Sequence, residues 1–344
     1  MNKYHATGGG ANRSVAEVER LKKKYDVFDV RLIHNIFKEI LGLTVSGIKK
    51  PLNIGLPHVT YVVSLHNYKD LVFRANLGTD EPEIQLLKEK VIADVALQKG
   101  VPSNKILYVD ISRKKYPFDF QIQEKFNGLD AEIEFKGTKE DYDTYSFNIG
   151  RLIAHFSDIE FSGYGHFADE MISQNKLVGE NNSFYDYICL ELHEQIDKII
   201  RGKFISSETG KNILRLFKTH KDIINIEKSN LVHYDLADHN LRYDPKSNKV
   251  VAVYDWEAAV SGDSCLDLAS SPTWKTLYPR QDKLIEGYLS LKEKPDHFQE
   301  KLNIYRLRTI IWKIVQNMKF NLINPQRMKR LQTALDPYHL KMTS

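Results

Sequence analysis

Hydrophobic residues recur three or four positions apart in two segments of the first 100 residues, and this period predicts two helices. The first helix covers residues 14–42 and ends at Gly42, a residue type common just after helix C-termini. Its apolar positions are Val27, Val30, Ile33, Ile36, Phe37, Ile40 and Leu41. The second helix begins near residues 79–82 and ends at Gly100. Its apolar positions are Ile84, Leu87, Val91 and Val95.

Between residues 51 and 126 other segments have the β-branched and aromatic composition of strands. They are residues 59–65, 71–74, 105–111 and 118–126. From Asp141 onward helical patterns dominate, apart from two short strands around residues 231–254. The pattern predicts an α+β fold with a small N-terminal lobe, built from an antiparallel sheet and a helix, and a larger, mainly helical C-terminal lobe. We place the two lobes at residues 1–125 and 126–344, with the linker near residues 123–128.

Composition narrows the class of protein. The 344 residues suffice for two lobes with ordinary cores. The net charge of +4 is too small to favour nucleic acid as a partner, and no apolar stretch approaches the roughly 20 residues that cross a membrane. The two cysteines, Cys189 and Cys265, imply no disulfide framework and favour a cytoplasmic location. These features are compatible with a monomer or a dimer.

Residues 231–257 carry the pattern with the clearest chemistry. Asp235 and Asn240 stand five positions apart, and Asp255 follows fifteen residues after Asn240. In kinases this spacing supplies one aspartate that accepts the proton of a substrate hydroxyl, and two oxygen ligands for Mg²⁺. We therefore predict Asp235 as the catalytic base, and Asn240 and Asp255 as the metal ligands.

A hairpin is predicted between the two candidate metal ligands. Residues 241–243 and 250–254 are strand-like, and residues 244–249 are rich in turn formers. Such a hairpin returns Asp255 to the end of the ladder that carries Asn240.

The small lobe is predicted to bind the nucleotide. Arg74 ends a strand and Glu89 lies on the following helix, so the pair is placed to hold phosphate where kinases commonly use a lysine. The turn that precedes these strands contains Gly55 but no Gly-x-Gly-x-x-Gly pattern. Its backbone amides are candidates to contact phosphate, and Ile54 is a candidate for the apolar wall of the adenine pocket.

Several segments resemble the aminoglycoside phosphotransferase and choline kinase superfamily, which shares the protein-kinase fold. They are residues 231–240, 253–259, 262–264, 267–269, 123–128, 149–155 and 162–167. The last two are similar to a segment of antibiotic phosphotransferases, including the hygromycin-type enzymes. Asp-Trp-Glu at residues 255–257 replaces the Asp-Phe-Gly of protein kinases, and no Ala-Pro-Glu follows, which argues against a protein kinase.

The resemblance implies a two-lobed protein-kinase-like fold that uses Mg²⁺ with ATP or GTP as co-substrate. It implies the same roles for the catalytic, metal-binding and phosphate-pairing residues assigned above. It also implies that backbone groups of Glu124 and Phe126 contact the purine, and that Asp267 braces the catalytic region.

The acceptor is expected to be a small, cationic molecule with a hydroxyl group, because acceptors in this superfamily are often cationic. Such a molecule would be bound by carboxylates near the site. The candidates are Glu160, Asp238, Glu257 and Asp263, with Asp158, Asp186, Glu191 and Glu194 as further possibilities. An aromatic cage for choline would draw on Tyr254, Trp256, Trp274 and Trp312.

Three functions fit these patterns. The first is a small-molecule O-phosphotransferase whose acceptor is an aminoglycoside-type antibiotic. The second is a kinase of choline, an amino sugar or another metabolite. The third is a kinase homologue that binds nucleotide without catalysis. The missing glycine-rich loop favours this third function, whereas the intact Asp235, Asn240 and Asp255 argue against it.

Overall fold

The structure, a computed structural model, describes residues 23–51, 58–77, 82–273 and 280–343. Its N-terminal part consists of three helices and five strands. They are α1 (Lys24–Val27), α2 (Arg31–Leu41), β1 (Val45–Lys49), β2 (His58–Leu65), β3 (Tyr68–Asn76), α3 (Gln85–Gln98), β4 (Ile106–Asp110) and β5 (Asp119–Glu124). The strands form one antiparallel sheet in the order β1-β2-β3-β5-β4. Arg74 stands in its middle strand, opposite Thr60 on one side and Gln121 on the other.

Helices dominate the rest of the chain. They are α4 (Lys139–Phe156), α5 (Asp169–Ile172), α6 (Phe184–Ile188), α7 (Leu192–Arg201), α8 (Ser207–Thr219), α9 (Lys221–Ile224), α10 (Cys265–Ser270), α11 (Gln281–Leu289), α12 (Phe298–Lys319) and α13 (Pro325–Leu335). Short strands lie between them. They are β6 (Leu129–Asp130), β7 (Glu160–Phe161), β8 (Tyr164–Phe167), β9 (Gly179–Asn181), β10 (Ser229–Val232), β11 (Leu241–Asp244), β12 (Lys249–Val253) and β13 (Val260–Gly262). These strands form two further sheets, β7-β10-β13-β8-β9 and β12-β11-β6.

Two clusters of buried hydrophobic residues support the α+β architecture. One lies between the N-terminal sheet and α2 and includes Ile36, Phe37 and Phe73. The other fills the helical part, and residues of α3 such as Ile92 belong to it. Helix α3 is therefore anchored to the helical part by its apolar residues while it follows the N-terminal sheet in the chain. The domain boundary near residue 125 stays a prediction.

The first predicted helix is interrupted. Residues 14–22 lie outside the described residues, and the remainder is divided into α1 and α2 by extended backbone at Phe28. The Phe28 ring is buried against Tyr61, Phe73 and Phe118, with ring centroids 5.4–5.8 Å apart. Burial of this aromatic ring in the sheet cluster explains why the helical period does not continue. The predicted end at Gly42 is confirmed, since Gly42 follows α2 with φ at +66°.

The second predicted helix begins later than its sequence pattern indicated. Helix α3 starts at Gln85, and residues 78–81 lie outside the described residues. Gly100 follows its end with φ at +79°, as expected of a glycine that terminates a helix. Among the described residues, no helix combines the length and the apolar character that crossing a bilayer would require.

Candidate active site

The Arg74–Glu89 pair joins the N-terminal sheet to helix α3. Nη1 of Arg74 donates to both carboxylate oxygens of Glu89, at 2.8 and 2.7 Å. Both side chains are buried, Glu89 completely. The structure therefore brings together the two residues that the sequence predicted as a pair.

Glu89 is held by three further donors. Its carboxylate accepts hydrogen bonds from Nε2 of Gln121 at 2.9 Å and from Nδ2 of Asn104 at 3.4 Å. The backbone N–H of Asp255 also donates to it, at 3.2 Å. A buried carboxylate with this many donors is well satisfied, and it fixes the turn at Asp255 relative to the N-terminal sheet.

Arg74 lies among three carboxylates. Besides Glu89, its Nη2 is 3.7 Å from Oδ1 of Asp255 and 3.5 Å from Oε1 of Glu257. Burial opposes the charged guanidinium, but the carboxylates, Glu89 first, outweigh it and raise the pKa of Arg74. Burial raises the pKa of Asp255, and the neighbouring Glu257 raises it further. The three carboxylates thus favour the charged form of Arg74, while the repulsion between them disfavours the charged form of Asp255.

His58 and Lys88 complete this cluster, and neither residue was predicted from the sequence. Nε2 of His58 pairs with Oε1 of Glu257, and Nζ of Lys88 donates to the Glu257 carbonyl at 2.9 Å. Burial lowers the pKa of Lys88 to about 8. The two partners of Glu257 come from β2 and α3, so they lock the Asp-Trp-Glu turn onto the N-terminal part.

The loop after β10 is shaped by Asp267. Its carboxylate accepts the backbone N–H of His233 at 2.9 Å and that of Tyr234 at 2.8 Å. Tyr234 has φ at +63°, an uncommon conformation for a residue with a side chain. Helix α10 therefore braces the loop in the conformation that presents Asp235. His233 is buried, its Nε2 contacts the Tyr254 carbonyl at 3.1 Å, and burial lowers its pKa to about 4.

Asp235 and Asn240 are joined across their loop. Nδ2 of Asn240 donates to the Asp235 carbonyl at 2.8 Å. Within the described residues, Oδ1 of the Asp235 side chain is buried and has no hydrogen-bond partner. Burial raises the pKa of Asp235 to about 6, Asp255 raises it as well, and His239 and Lys313 oppose the shift. An unpartnered carboxylate oxygen of this kind is suited to accept a proton from a bound molecule.

The predicted hairpin is confirmed. Strands β11 and β12 pair with Leu241 opposite Val253, and the backbone N–H of Tyr254 donates to the Asn240 carbonyl at 3.1 Å. Asn240 and Asp255 consequently lie at the same end of the ladder. Trp256 is fully buried beside Phe156 and His233, and its Nε1 donates to Oγ of Ser103 at 2.8 Å.

Asn240 and Asp255 offer oxygen atoms that suit Mg²⁺. Because Nδ2 of Asn240 is used by Asp235, its amide oxygen is the atom that remains for other partners. The Asp255 side chain is 32% exposed, so its carboxylate can reach a ligand. In the described part of the chain no group of three or more His, Cys, Asp or Glu side chains is arranged for a metal ion. Two protein oxygens completed by phosphate and water match the usual Mg²⁺ site.

The residues predicted to contact the purine occupy the connection after β5. Glu124 ends this strand, and its backbone N–H donates to the Lys105 carbonyl at 2.9 Å. The Phe126 ring stacks on Tyr254, with centroids 5.2 Å apart. Ile54 and Gly55 lie outside the described residues.

Three of the four main acceptor-binding candidates form ion pairs within the helical part. Asp238 is buried and pairs with Nη1 of Arg280. Asp263 accepts from Nζ of Lys301 at 2.9 Å. The remaining pair joins exposed Glu160 to Lys228 at 3.0 Å. Cations of the chain itself already compensate these carboxylates, and Glu257 is the one that joins the cluster around Arg74.

The aromatic residues considered for a choline cage do not share one surface. Trp256 is fully buried in the core, and Tyr254 is covered on one face by the Phe126 ring. Trp312 lies on α12 and is partly buried. Trp274 lies outside the described residues.

Comparisons with known proteins agree with the fold. The phosphotransferase enzyme family matches residues 50–299, which is most of the chain. A thermostable mutant of aminoglycoside phosphotransferase APH(4)-Ia, solved with AMP-PNP and hygromycin B, is 15% identical with a TM-score of 0.66. That match covers 88% of this chain and 98% of that one. A protein assigned as a fructosamine-3-kinase from Thermobifida fusca YX-ER1 is 13% identical with a TM-score of 0.65, covering 90% and 100% of the two chains. The search of curated proteins found no match.

Proposed function

Because the chain belongs to the phosphotransferase enzyme family, we propose that it transfers the γ-phosphate of ATP or GTP to a hydroxyl group of a small molecule. One observation carries this proposal. The Arg74–Glu89 pair is hydrogen-bonded to the turn at Asp255, and the Asp235 loop is connected to the same turn through Asn240, whose carbonyl accepts the backbone N–H of Tyr254. Phosphoryl transfer requires positioning and compensation of charge more than covalent chemistry, and this cluster supplies both.

Asp235 is proposed as the catalytic base. Its unpartnered Oδ1 would accept the proton of the acceptor hydroxyl as the oxygen–phosphorus bond forms and ADP or GDP leaves. The brace from Asp267 keeps the loop in place during this step. A positioned general base contributes about 10²- to 10⁴-fold in rate.

Asn240 and Asp255 would hold Mg²⁺ through their side-chain oxygens. When bound, the ion would neutralise phosphate charge and orient the transferring group. Arg74, fixed by Glu89, would present its remaining N–H groups to phosphate oxygens. Backbone groups of Glu124 and Phe126 would contact the purine.

The relatives leave the acceptor open. The APH(4)-Ia structure contains hygromycin B, and another similar structure is assigned as a fructosamine-3-kinase. An aminoglycoside acceptor, as the sequence favoured, and choline or an amino sugar all belong in a test panel.

A cytoplasmic location is supported by Cys189 and Cys265, which are both free.

The test is phosphate transfer from ATP or GTP with Mg²⁺ to a panel of hydroxylated small molecules. Nucleotide binding is measured by calorimetry in parallel. We expect binding with Mg²⁺ and transfer to at least one compound, both measured with the purified full chain. Binding without transfer to any compound would favour the non-catalytic homologue.

A further inference from the structure

A cavity of about 280 Å³ lies beside the long helix α12 and helix α13. Its polar and charged lining includes Thr273, Lys313, Gln316, Arg327 and Arg330. Three of these side chains are basic, and within the described residues the lining contains no acidic side chain. The cavity therefore has the opposite charge from the one that a cationic acceptor would need.

Helix α12 contacts the loop that carries Asp235 and also lines the cavity. The Tyr234 hydroxyl lies 3.4 Å from the Thr309 hydroxyl on α12. Lys313 is one turn further along the same face of this helix, and its Nζ donates to Oγ1 of Thr273 at 2.7 Å. Lys313 thus connects the helix face that contacts Tyr234 with the lining of the cavity.

The other two cations lie three residues apart on α13, where side chains are neighbours on the helix surface. Nη1 of Arg327 donates to the Leu322 carbonyl, and Nη1 of Arg330 donates to the Thr273 carbonyl at 3.3 Å. Backbone carbonyls orient guanidinium groups but do not neutralise them. Burial, and then the charge of Arg327, lower the pKa of Arg330. A bound anion would offset this crowding of positive charge.

We propose that this cavity binds the acceptor, and that the acceptor carries a carboxylate or phosphate group held by Arg327 and Arg330. This proposal rests on the phosphotransferase function proposed above and defines its substrate class. The acceptor hydroxyl would reach Asp235 past Lys313. Guanidinium groups bind both kinds of anion through paired N–H donors. A cationic acceptor such as an aminoglycoside would instead meet the positive charges of Arg327 and Arg330.

The charge preference is tested with matched acceptors and radiolabelled ATP. The carboxylate set is gluconate, glucose and glucosamine, and the phosphate set is glycerol 3-phosphate and glycerol. Choline and hygromycin B represent cationic acceptors. We expect kcat/KM for gluconate or glycerol 3-phosphate to exceed that of its neutral counterpart by about tenfold or more, as loss of a charged hydrogen bond implies. The set in which the anionic compound has the higher kcat/KM shows whether the acceptor's anionic group is a carboxylate or a phosphate.

Variants of Arg330 test the site itself. Arg330→Gln is expected to raise the acceptor KM about 10- to 100-fold with the nucleotide KM unchanged. Arg330→Lys restores part of the loss, because it keeps the charge without the planar fork. Arg215→Gln, an exposed position on α8, serves as control and leaves both KM values unchanged.

The outcomes separate this proposal from the function on which it rests. Three results would overturn the assignment of the cavity as the acceptor site. They are a preference for neutral or cationic acceptors, the absence of transfer to both anionic compounds, and a rise in the nucleotide KM of Arg330→Gln. In those cases nucleotide binding with transfer to another compound would leave the phosphotransferase function standing. Absence of both binding and transfer would overturn the function and the cavity's assignment together.

Discussion

Replacing Glu89 with glutamine would remove the negative charge closest to Arg74. Glu89 is fully buried and accepts both short hydrogen bonds from Nη1 of Arg74. Glutamine keeps the size of the side chain but points an NH₂ group at Arg74 or Gln121, which are both donors. Breaking a buried ion pair costs about 3–5 kcal/mol. Arg74 keeps Asp255 and Glu257 at 3.7 and 3.5 Å, so we expect the lower end, about 3 kcal/mol.

Thermal unfolding followed by circular dichroism measures this loss. At about 2 °C per kcal/mol for a large domain, Glu89→Gln should lower Tm by roughly 6 °C. Lys90→Met, on the same helix, is the matched control. It breaks a partly exposed pair with Asp94, which contributes at most about 1 kcal/mol. If the Tm of Glu89→Gln lies within about 2 °C of the wild type, or no lower than that of the control, the buried ion pair does not stabilise the fold as expected.

Three other predictions concern packing, the loop and the metal. Gly150→Ala would place Cβ 2.0 Å from the Leu284 carbonyl oxygen and should lower Tm by more than about 6 °C. The control is Gly47→Ala, whose Cβ would have its nearest atom at 3.8 Å, and its Tm should change by less than about 2 °C. Equal shifts in Tm for the two variants would contradict this prediction. Asp267→Asn replaces one of the two oxygens that accept the His233 and Tyr234 N–H groups with an NH₂ donor. It should lower kcat roughly tenfold, while calorimetry shows an unchanged nucleotide affinity. An unchanged kcat would mean that Asp267 does not hold the loop for catalysis. Chelation of divalent ions should abolish turnover and added Mg²⁺ should restore it; turnover that survives chelation would exclude the proposed metal role.

The parts of the fold that depend on neighbouring residues in the chain could be predicted from sequence. The hairpin that brings Asn240 and Asp255 together is encoded by strand-like residues on either side of a turn-rich segment. The pairing of Arg74 with Glu89 was also accessible, because Arg74 lies two residues before the end of a strand and Glu89 lies on the next helix. In each case short connections leave few alternative arrangements.

Contacts between distant segments could not be predicted. Nothing in the sequence indicates that Asp238 pairs with Arg280, or that Glu257 meets His58, 199 residues earlier. Carboxylates that looked available for a cationic acceptor are therefore compensated within the chain. The cationic cavity was missed for the same reason, because Lys313 and Arg330 come from different helices and are both bound to Thr273.

The most direct measurement for the central claim is transfer of the γ-phosphate to the acceptor panel by the wild-type chain and by Asp235→Asn. Asparagine preserves the shape of the side chain but cannot accept the hydroxyl proton in the same way. We expect Mg²⁺-dependent transfer by the wild type and a loss of about 10²-fold or more in kcat for Asp235→Asn, with nucleotide affinity and Tm maintained. Equal kcat values for the two proteins would contradict this expectation.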